Sequence, residues 1–309
     1  MPLHPQFDAL LQQLAGAGGP TLSEMPVADG RALYRAMQPV AADVEVGKVE
    51  DRRIPGPGGD IPVRIYTPKG PGPFPMFMNF HGGGWVIGDL DTADSQCRDI
   101  CNLAAAVVVS VDYRLAPEHR FPAAVDDAYA ATRWAADNAR ALEGDAARLA
   151  VGGDSAGGNL AAVVALMARD RGGPPLVFQL LVYPVTNAEF DTPSYRDNGE
   201  GYLLTREAMQ WFWNHYCPSV DERRNPLASP MAEKNLAGLP PALVLTAEYD
   251  PLRDEGEAYA KRLQAAGVAT EHVRYDGLIH GFFAMSRIVA AGRPGMEKAC
   301  ETLRRVYSG

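Results

Sequence analysis

A serine within a glycine-rich pentapeptide is the feature of this 309-residue sequence with the clearest chemical meaning. The pentapeptide Gly-Asp-Ser-Ala-Gly at 153–157 fits the pattern Gly-x-Ser-x-Gly and lies between an apolar stretch and an alanine-rich one. On such a strand-to-helix turn the hydroxyl of Ser155 projects above the edge of a sheet, where it can act as a nucleophile. A phosphate-binding loop is excluded because no Gly-Lys-Ser or Gly-Lys-Thr follows. Glycine-rich turns without a catalytic role also fit the pattern, so the serine needs partners.

A base and a carboxylate are the partners that a serine nucleophile needs, because its hydroxyl is weakly nucleophilic by itself. Asp250 and His280 each follow a β-rich stretch, in the chain order serine, aspartate, histidine that this kind of turn predicts. Of the six histidines, only His81 and His280 follow a strand at the edge expected to carry Ser155. We therefore predict that Ser155, Asp250 and His280 form a catalytic triad.

The sequence His-Gly-Gly-Gly-Trp at 81–85 directly follows another β-rich stretch. Acyl transfer develops negative charge on a carbonyl oxygen, and backbone N–H groups aimed at that oxygen stabilise it. Consecutive glycines let the main chain approach the oxygen with no side chain in the way. We expect the amides of Gly83, Gly84 and Ala156 to form this oxyanion hole. The amide of Gly82 is an alternative to one of them.

The elements that must position these residues alternate, from about residue 46, between short β-rich stretches and alanine-rich helical ones. This alternation predicts an α/β protein with a mostly parallel eight-stranded sheet and helices on both faces. The first two strands are expected to form an antiparallel hairpin. The predicted strands are 47–54, 61–67, 76–80, 107–112, 149–153, 178–184, 242–248 and 271–275. The predicted helices of this region are 92–105, 122–140, 156–170, 253–266 and 295–307.

Two segments fall outside the alternation, and we expect them to form a helical cap. The N-terminal one contains an amphipathic helix near its start and a second helix near 26–38. The other has no strand pattern and contains a helix that begins after Thr205. The aromatic face of this helix either packs on the domain or lines a binding pocket. The expected organisation is a cap of 1–45 and 187–228 on a core of 46–186 and 229–309.

Composition and charge limit the class of partner. The 29 Lys plus Arg against 38 Asp plus Glu give a net charge of −9, which argues against a nucleic-acid or anionic-membrane surface. No apolar stretch reaches the roughly 20 residues that a membrane span needs, and the N-terminus does not have the pattern of a secretory signal. The four cysteines form neither a disulfide scaffold nor a metal site. We expect a cytoplasmic protein with a small-molecule partner, either a monomer or a homodimer.

Together these residues resemble the hormone-sensitive-lipase-like family of α/β hydrolases, including its bacterial carboxylesterases, the family IV type. The resemblance runs from about residue 45 to the C-terminus and rests on five motifs in the family's order and spacing. These are HGGGW, DYRLAPEHRFPAAVDDA, VGGDSAGGN, YDPLRDEG and HGF. The resemblance implies an α/β-hydrolase fold, the triad Ser155, Asp250 and His280, and a composite cap over the pocket.

The expected reaction is two-step hydrolysis of a carboxylic ester through an acyl-enzyme, which requires no metal or cofactor. A cap rich in aromatic side chains favours short- to medium-chain acyl groups. Amide, lactone or carbamate hydrolysis stays open because the same fold and triad serve all of them. A non-catalytic receptor, similar to the plant gibberellin receptors, is disfavoured because those receptors lack the working histidine. The residues expected to line the pocket are Trp85, Asp154, Trp211, Phe212, Ile279 and Phe282.

Overall fold

A computed structural model of the chain describes residues 1–38 and 44–309, and an eight-stranded sheet forms its centre. The strands are β1 (Lys48–Ile54), β2 (Ile61–Thr67), β3 (Phe74–Phe80), β4 (Val107–Val111), β5 (Gly144–Asp154), β6 (Phe178–Val182), β7 (Ala242–Tyr249) and β8 (Thr270–Ile279). Their order across the sheet is β1-β2-β4-β3-β5-β6-β7-β8. β2 is antiparallel to β1 and β4, and all other pairs are parallel. The predicted mostly parallel α/β sheet and its hairpin are confirmed.

The described residues form nine α-helices and several short 3₁₀ turns. The helices are α1 (Pro5–Ala17), α2 (Val27–Met37), α3 (Asp94–Ala104), α4 (Ala123–Asp137), α5 (Ala156–Arg171), α6 (Pro193–Asn198), α7 (Arg206–Tyr216), α8 (Arg253–Ala265) and α9 (Arg293–Tyr307). The side chain of Thr205 caps α7 by accepting the amide of Ala208, as a helix beginning after Thr205 requires. In the described part of the chain no helix is long and apolar enough to cross a membrane. Residues 39–43 of the expected N-terminal segment 1–45 lie outside the described residues.

Three elements differ from the expectation. β5 begins at Gly144 rather than 149, because its first residues are polar and partly exposed and carry no apolar pattern. β8 continues past 275 to Ile279 across an irregularity in its pairing with β7. The helix α6 was not predicted, because six residues are too few to establish a helical periodicity.

The hydrophobic core lies on both faces of the sheet. Met76 and Met78 of β3 belong to the cluster that includes α4 and α5, whereas Phe77 belongs to the cluster that includes α3 and α9. This two-residue alternation is what a strand buried on both faces produces. Trp213 and Tyr216 of α7 join the first cluster, so part of the aromatic face of α7 packs on the domain.

The sheet topology brings the chemically interesting loops to one edge. β3 lies between β4 and β5, so the strand order reverses there, and crevices form at such points beyond the carboxyl ends of the strands. The register pairs Phe80 with Gly153, so the loops that follow β3 and β5 start side by side. Tyr249 of β7 pairs with Ile279 of β8, so the next residue on each strand also emerges at this edge.

Candidate active site

Ser155 occupies the turn between β5 and α5 in a conformation that side chains rarely adopt. Its φ of 56° and ψ of −117° lie outside the ordinary regions for a residue with a side chain. Such backbone strain persists only where the surroundings impose it. A Cβ added at Gly153 or Gly157 would overlap the carbonyl oxygen of Phe80, so both positions of the motif require glycine. The turn is therefore fixed by the close approach of β3 to the start of α5.

The structure brings Ser155, His280 and Asp250 together in one hydrogen-bonded chain. Nε2 of His280 lies 3.1 Å from the Ser155 hydroxyl oxygen, and Nδ1 donates to Oδ2 of Asp250 at 2.8 Å. Because a carboxylate only accepts, Nδ1 carries the hydrogen and Nε2 is the acceptor for the serine proton. All three residues are buried, and Asp250 is fully so. The other oxygen of Asp250 accepts the amide of Leu252 at 2.8 Å, which orients the carboxylate.

The backbone amides predicted to form the oxyanion hole have no hydrogen-bond acceptor within residues 1–38 and 44–309. They belong to Gly83, Gly84 and Ala156. The amide of Gly82, by contrast, donates to Oδ1 of Asp154 at 3.0 Å. Ala156 is the first residue of α5, where the helix dipole also favours negative charge. The arrangement offers three donors for an anionic oxygen, while Gly82 already has a partner.

Asp154 was expected to line the pocket, but its carboxylate connects the glycine loop to the serine turn by hydrogen bonds. Its Oδ1 accepts the Gly82 amide and, at 3.4 Å, the side-chain amide of Gln96. Burial raises the pKa of the Asp154 carboxyl. A Cβ at Gly82 would overlap the same carboxylate, so this glycine is required by the contact.

His81 supports the glycine loop from inside the protein. Its ring stacks on Tyr113 with 4.3 Å between the ring centroids, and its Nδ1 donates to the carbonyl of Gly82 at 2.7 Å. The hydroxyl of Tyr113 donates in turn to the carbonyl of His81 at 2.7 Å. Burial lowers the pKa of His81 to about 4, so the ring is neutral at pH 7. His81 therefore stabilises the conformation of the glycine loop.

The helix α7 lies directly on the glycine loop. Gly84 has a φ of +58°, and a Cβ added there would overlap the ring of Phe212. The next residue, Trp85, is fully buried and stacks on Tyr216 with 4.1 Å between centroids. Trp85 also meets the edge of Trp213 at 5.0 Å. The insertion between β6 and β7 is therefore in contact with the candidate oxyanion hole.

The N-terminal helix α2 contacts the same loop through a side chain that the sequence did not single out. Arg31 donates to the main-chain carbonyls of Val86 at 2.8 Å and Ala116 at 3.0 Å. It also forms a two-point ion pair with Glu118, at 2.7 and 2.8 Å. Bidentate arginine pairs fix geometry as well as charge. The sequence held one indication of this contact, since Glu118, the partner of Arg31, lies in the long motif at 112–128.

The remaining candidates for pocket residues fall into two groups. Trp211 is partly exposed on α7 and meets Phe212 edge to face, with 5.2 Å between centroids. Ile279 and Phe282 are fully buried in the cluster that contains α9. Phe282 packs against Tyr183, whose ring in turn lies 4.5 Å from that of His280. Trp211 and Phe212 thus pack with the first core cluster, and Ile279 and Phe282 with the second.

The fold and this site together define an α/β hydrolase. Residues 77–284 match the alpha/beta hydrolase fold family, which is most of the chain, and the chain belongs to that family. The resemblance to its hormone-sensitive-lipase-like branch is confirmed.

Similar proteins of known class give a more specific comparison. The carboxylic ester hydrolase LipN of Mycobacterium tuberculosis is 47% identical over 284 residues, covering 89% of this chain and 74% of LipN. The carboxylesterase NlhH of the same species is 42% identical over 310 residues, covering 97% and 96% of the two chains. The solved structure of a hyperthermophilic esterase from the archaeon Pyrobaculum calidifontis matches with a TM-score of 0.95 at 45% identity, covering 99% of both chains.

Proposed function

We propose that this chain is a serine carboxylesterase that hydrolyses short- to medium-chain carboxylic esters through an acyl-enzyme. The observation that carries the proposal is the hydrogen-bonded chain from Ser155 through His280 to Asp250. The amides of Gly83, Gly84 and Ala156 have no acceptor among the described residues, which supports it. The similarity to proteins named carboxylic ester hydrolase and carboxylesterase supports the same class of substrate.

In the first half of the reaction Ser155 attacks the ester carbonyl while Nε2 of His280 takes its proton. The amides of Gly83, Gly84 and Ala156 stabilise the oxyanion of the tetrahedral intermediate. His280 then returns the proton to the alkoxy oxygen, the carbon–oxygen bond breaks, and the alcohol leaves. Asp250 holds the imidazole in the required tautomer and stabilises its charged form.

In the second half a water molecule attacks the acyl-enzyme. His280 takes a proton from the water, and the same three amides hold the second oxyanion. The bond to the Ser155 oxygen then breaks as His280 returns the proton, which releases the carboxylic acid and restores the free enzyme. Protons and bonds balance over the cycle without any further reactant.

A pocket under a helical cap is part of the proposal. Segments 1–45 and 187–228 cap the core of 46–186 and 229–309, with residues 39–43 outside the described part of the chain. Phe212 and Trp211 of α7 give the cap apolar side chains near the glycine loop, and Trp85 of that loop packs against the same helix. Such a surface favours an uncharged acyl group of limited length.

A series of p-nitrophenyl esters tests both the reaction and the size of the substrate. We expect hydrolysis with the highest kcat/KM at short to medium acyl chains, and loss of activity in Ser155→Ala. A maximum at long chains contradicts the size preference, and wild-type rates in pure Ser155→Ala contradict the mechanism. Parallel assays with an amide, a lactone and a carbamate of matched acyl group separate the alternative substrate classes. Absence of turnover with tight ligand binding would favour the receptor-like alternative.

The proposal includes a cytoplasmic location and a small-molecule substrate, with a homodimer as one expected assembly. Location is tested by fractionating cells, and assembly by light scattering of the purified protein. A monomer in solution contradicts the homodimer without affecting the proposed reaction.

A further inference from the structure

The short helix α6 joins the 187–228 insertion to the loop that carries Asp250. Ser194 and Asn198 are four residues apart on this helix, so they lie on one face of it. Both side chains are buried, with exposed fractions of 0% and 4%. Their face is turned toward the loop at 248–254, which includes the last residues of β7 and the first residues of α8.

Ser194 makes three hydrogen bonds to that loop. Its hydroxyl donates to the carbonyl of Pro251 at 2.7 Å and accepts the amide of Asp254 at 3.2 Å. Its own amide donates to Oδ2 of Asp254 at 2.8 Å. The hydroxyl is therefore used as donor and acceptor at once, and the loop is tied to α6 immediately after Asp250.

Asn198 holds the loop immediately before and at Asp250. Its side-chain amide nitrogen donates to the carbonyl of Glu248 at 3.1 Å and, over a longer 3.5 Å, to the carbonyl of Asp250 itself. The same two carbonyls also accept from Arg253, whose Nη1 lies 3.1 Å from the Glu248 carbonyl oxygen and whose amide lies 3.1 Å from that of Asp250, so Asn198 ties an already hydrogen-bonded turn to α6. Side chains of the insertion therefore donate hydrogen bonds to the carbonyls of residues 248, 250 and 251.

In a third connection the side chain comes from α8 and the main-chain groups come from the start of the insertion. Glu255, buried in the first turn of α8, accepts the amides of Thr186 at 2.6 Å and Asn187 at 3.1 Å. These two residues begin the connection from β6 into the insertion. Side chains from both partners thus join the two segments, which makes them one packed unit.

We propose that Asn198 and Ser194 are positioning residues for Asp250, so that the insertion is a structural part of the catalytic centre and not only its cover. The inference rests on the proposed function. Asp250 can orient His280 only if its own backbone is held, and two donors from α6 hold it on either side. A displacement of about 1 Å at a catalytic group can cost roughly 100-fold in rate.

Two variants test the inference. We expect Asn198→Leu, which removes the donor at similar volume, to lower kcat about 10- to 100-fold while KM stays within about twofold. Ser194→Ala removes one oxygen atom and is expected to lower kcat about three- to tenfold in the same way. In both variants the downfield proton NMR signal of the His280 Nδ1–H is expected to broaden or move, because that hydrogen bond reports the position of Asp250.

A matched control separates positioning from general stability. Gln179 of β6 is also fully buried, and its side-chain amide donates to the carbonyl of Pro240 at 2.9 Å. That contact lies at the amino end of the strand, away from Asp250. Gln179→Leu is expected to lower the Tm about as much as Asn198→Leu does, with wild-type kcat and an unchanged NMR signal.

Each outcome decides between named alternatives. Wild-type kcat with an unchanged NMR signal in Ser194→Ala and Asn198→Leu contradicts the inference, even if their Tm values fall. If Asn198→Leu does not fold, Ser194→Ala decides alone by the same two readouts. A wild-type protein that hydrolyses no ester, or whose Ser155 is not labelled by a fluorophosphonate, contradicts the proposed function instead.

Discussion

The two halves of the candidate site are built in different ways. In the serine half, residues 81–88 and 153–157, close contacts leave room only for glycine at several positions, most of them against main-chain groups, and Asp154 adds a side-chain hydrogen bond. In the histidine half, residues 248–254 and 276–293, Gly292 has one such main-chain contact. This half is held by side chains that reach in from elsewhere. One of these is Asp99 of α3, which binds Arg287 and Arg293 at 2.6 to 3.0 Å.

Because of this difference, we expect opposite kinds of substitution to disrupt the geometry of the two halves. Added atoms disturb the serine half, because its main-chain groups are already in contact. Lost donors and charges disturb the histidine half, because its loops are longer and depend on buried polar partners. The variants below test this contrast, from the largest expected effect to the smallest.

Removal of a catalytic side chain, Ser155 or His280, is expected to have the largest effect on kcat. Ser155→Ala and His280→Ala should each lower kcat by about 10⁴ to 10⁶, since the triad acts as a unit. The double variant should be little worse than either single one. Stopped assays of a p-nitrophenyl ester measure all three, and additive losses in the double variant would contradict a shared mechanism.

An added methyl group in the serine half comes next. Gly157→Ala places a Cβ against the carbonyl oxygen of Phe80, so either β3 or Ser155 must move. We expect kcat/KM to fall about 100-fold and the free energy of unfolding to fall by about 1–3 kcal/mol. Gly16→Ala is the control, since nothing lies within 4 Å of a Cβ at that position. A Gly157→Ala enzyme with full activity would contradict the tight main-chain contact.

A lost charge in the histidine half is expected to act on stability. Asp99→Asn keeps the shape but removes the buried charge between Arg287 and Arg293, and we expect a loss of about 2–3 kcal/mol in the free energy of unfolding. Asp221→Asn is the control, because the pair of Asp221 with Arg224 is almost fully exposed. Such pairs contribute about 0–1 kcal/mol. Equal losses in urea unfolding of the two variants would contradict the role given to burial.

The smallest effect is a pH dependence of the serine half through His81. Its pKa of about 4 in the folded protein lies below the ordinary value of 6.5, so between these pH values the unfolded chain binds more protons. Stability should therefore be complete above pH 6.5 and decline on acidification, by about 1 kcal/mol at pH 5.5 and further toward pH 4. We expect His81→Gln to show a flatter dependence in urea unfolding from pH 7 to 4. An identical slope in the variant would contradict a buried neutral His81.

The sequence predicts the serine half better than the histidine half, and the contrast above explains why. Main-chain contacts can be recognised in the sequence, because the glycines that they require are adjacent to the groups that they position. These glycines are Gly153, Gly157 and the three at 82–84. Ser155, Asp250 and His280 could also be predicted, because their order and strand ends are local features. Tertiary hydrogen bonds leave no such record in either half, so Ser194 and Asn198 at the histidine half were missed, as was Arg31 at the serine half, whose partners lie 55 to 87 positions away.

The helix α6 illustrates what sequence periodicity does not capture. Its start has a readable signal, since Thr192 caps the helix and Pro193 follows at its first position. Its importance depends on the contacts of Ser194 and Asn198 with residues 50 or more positions later in the chain. Only the pairing of β6 with β7 brings these segments together, and that pairing is a property of the whole sheet.

Covalent labelling tests the central claim most directly. The purified protein is treated with an equimolar p-nitrophenyl phosphonate, and released p-nitrophenol, residual esterase activity and the masses of its peptides are measured together. We expect one phosphonyl group per chain, on the peptide that contains Ser155, with activity lost in proportion and no adduct in Ser155→Ala. A fully labelled Ser155 with undiminished ester hydrolysis, or an adduct on another residue that accounts for the inactivation, would contradict the account.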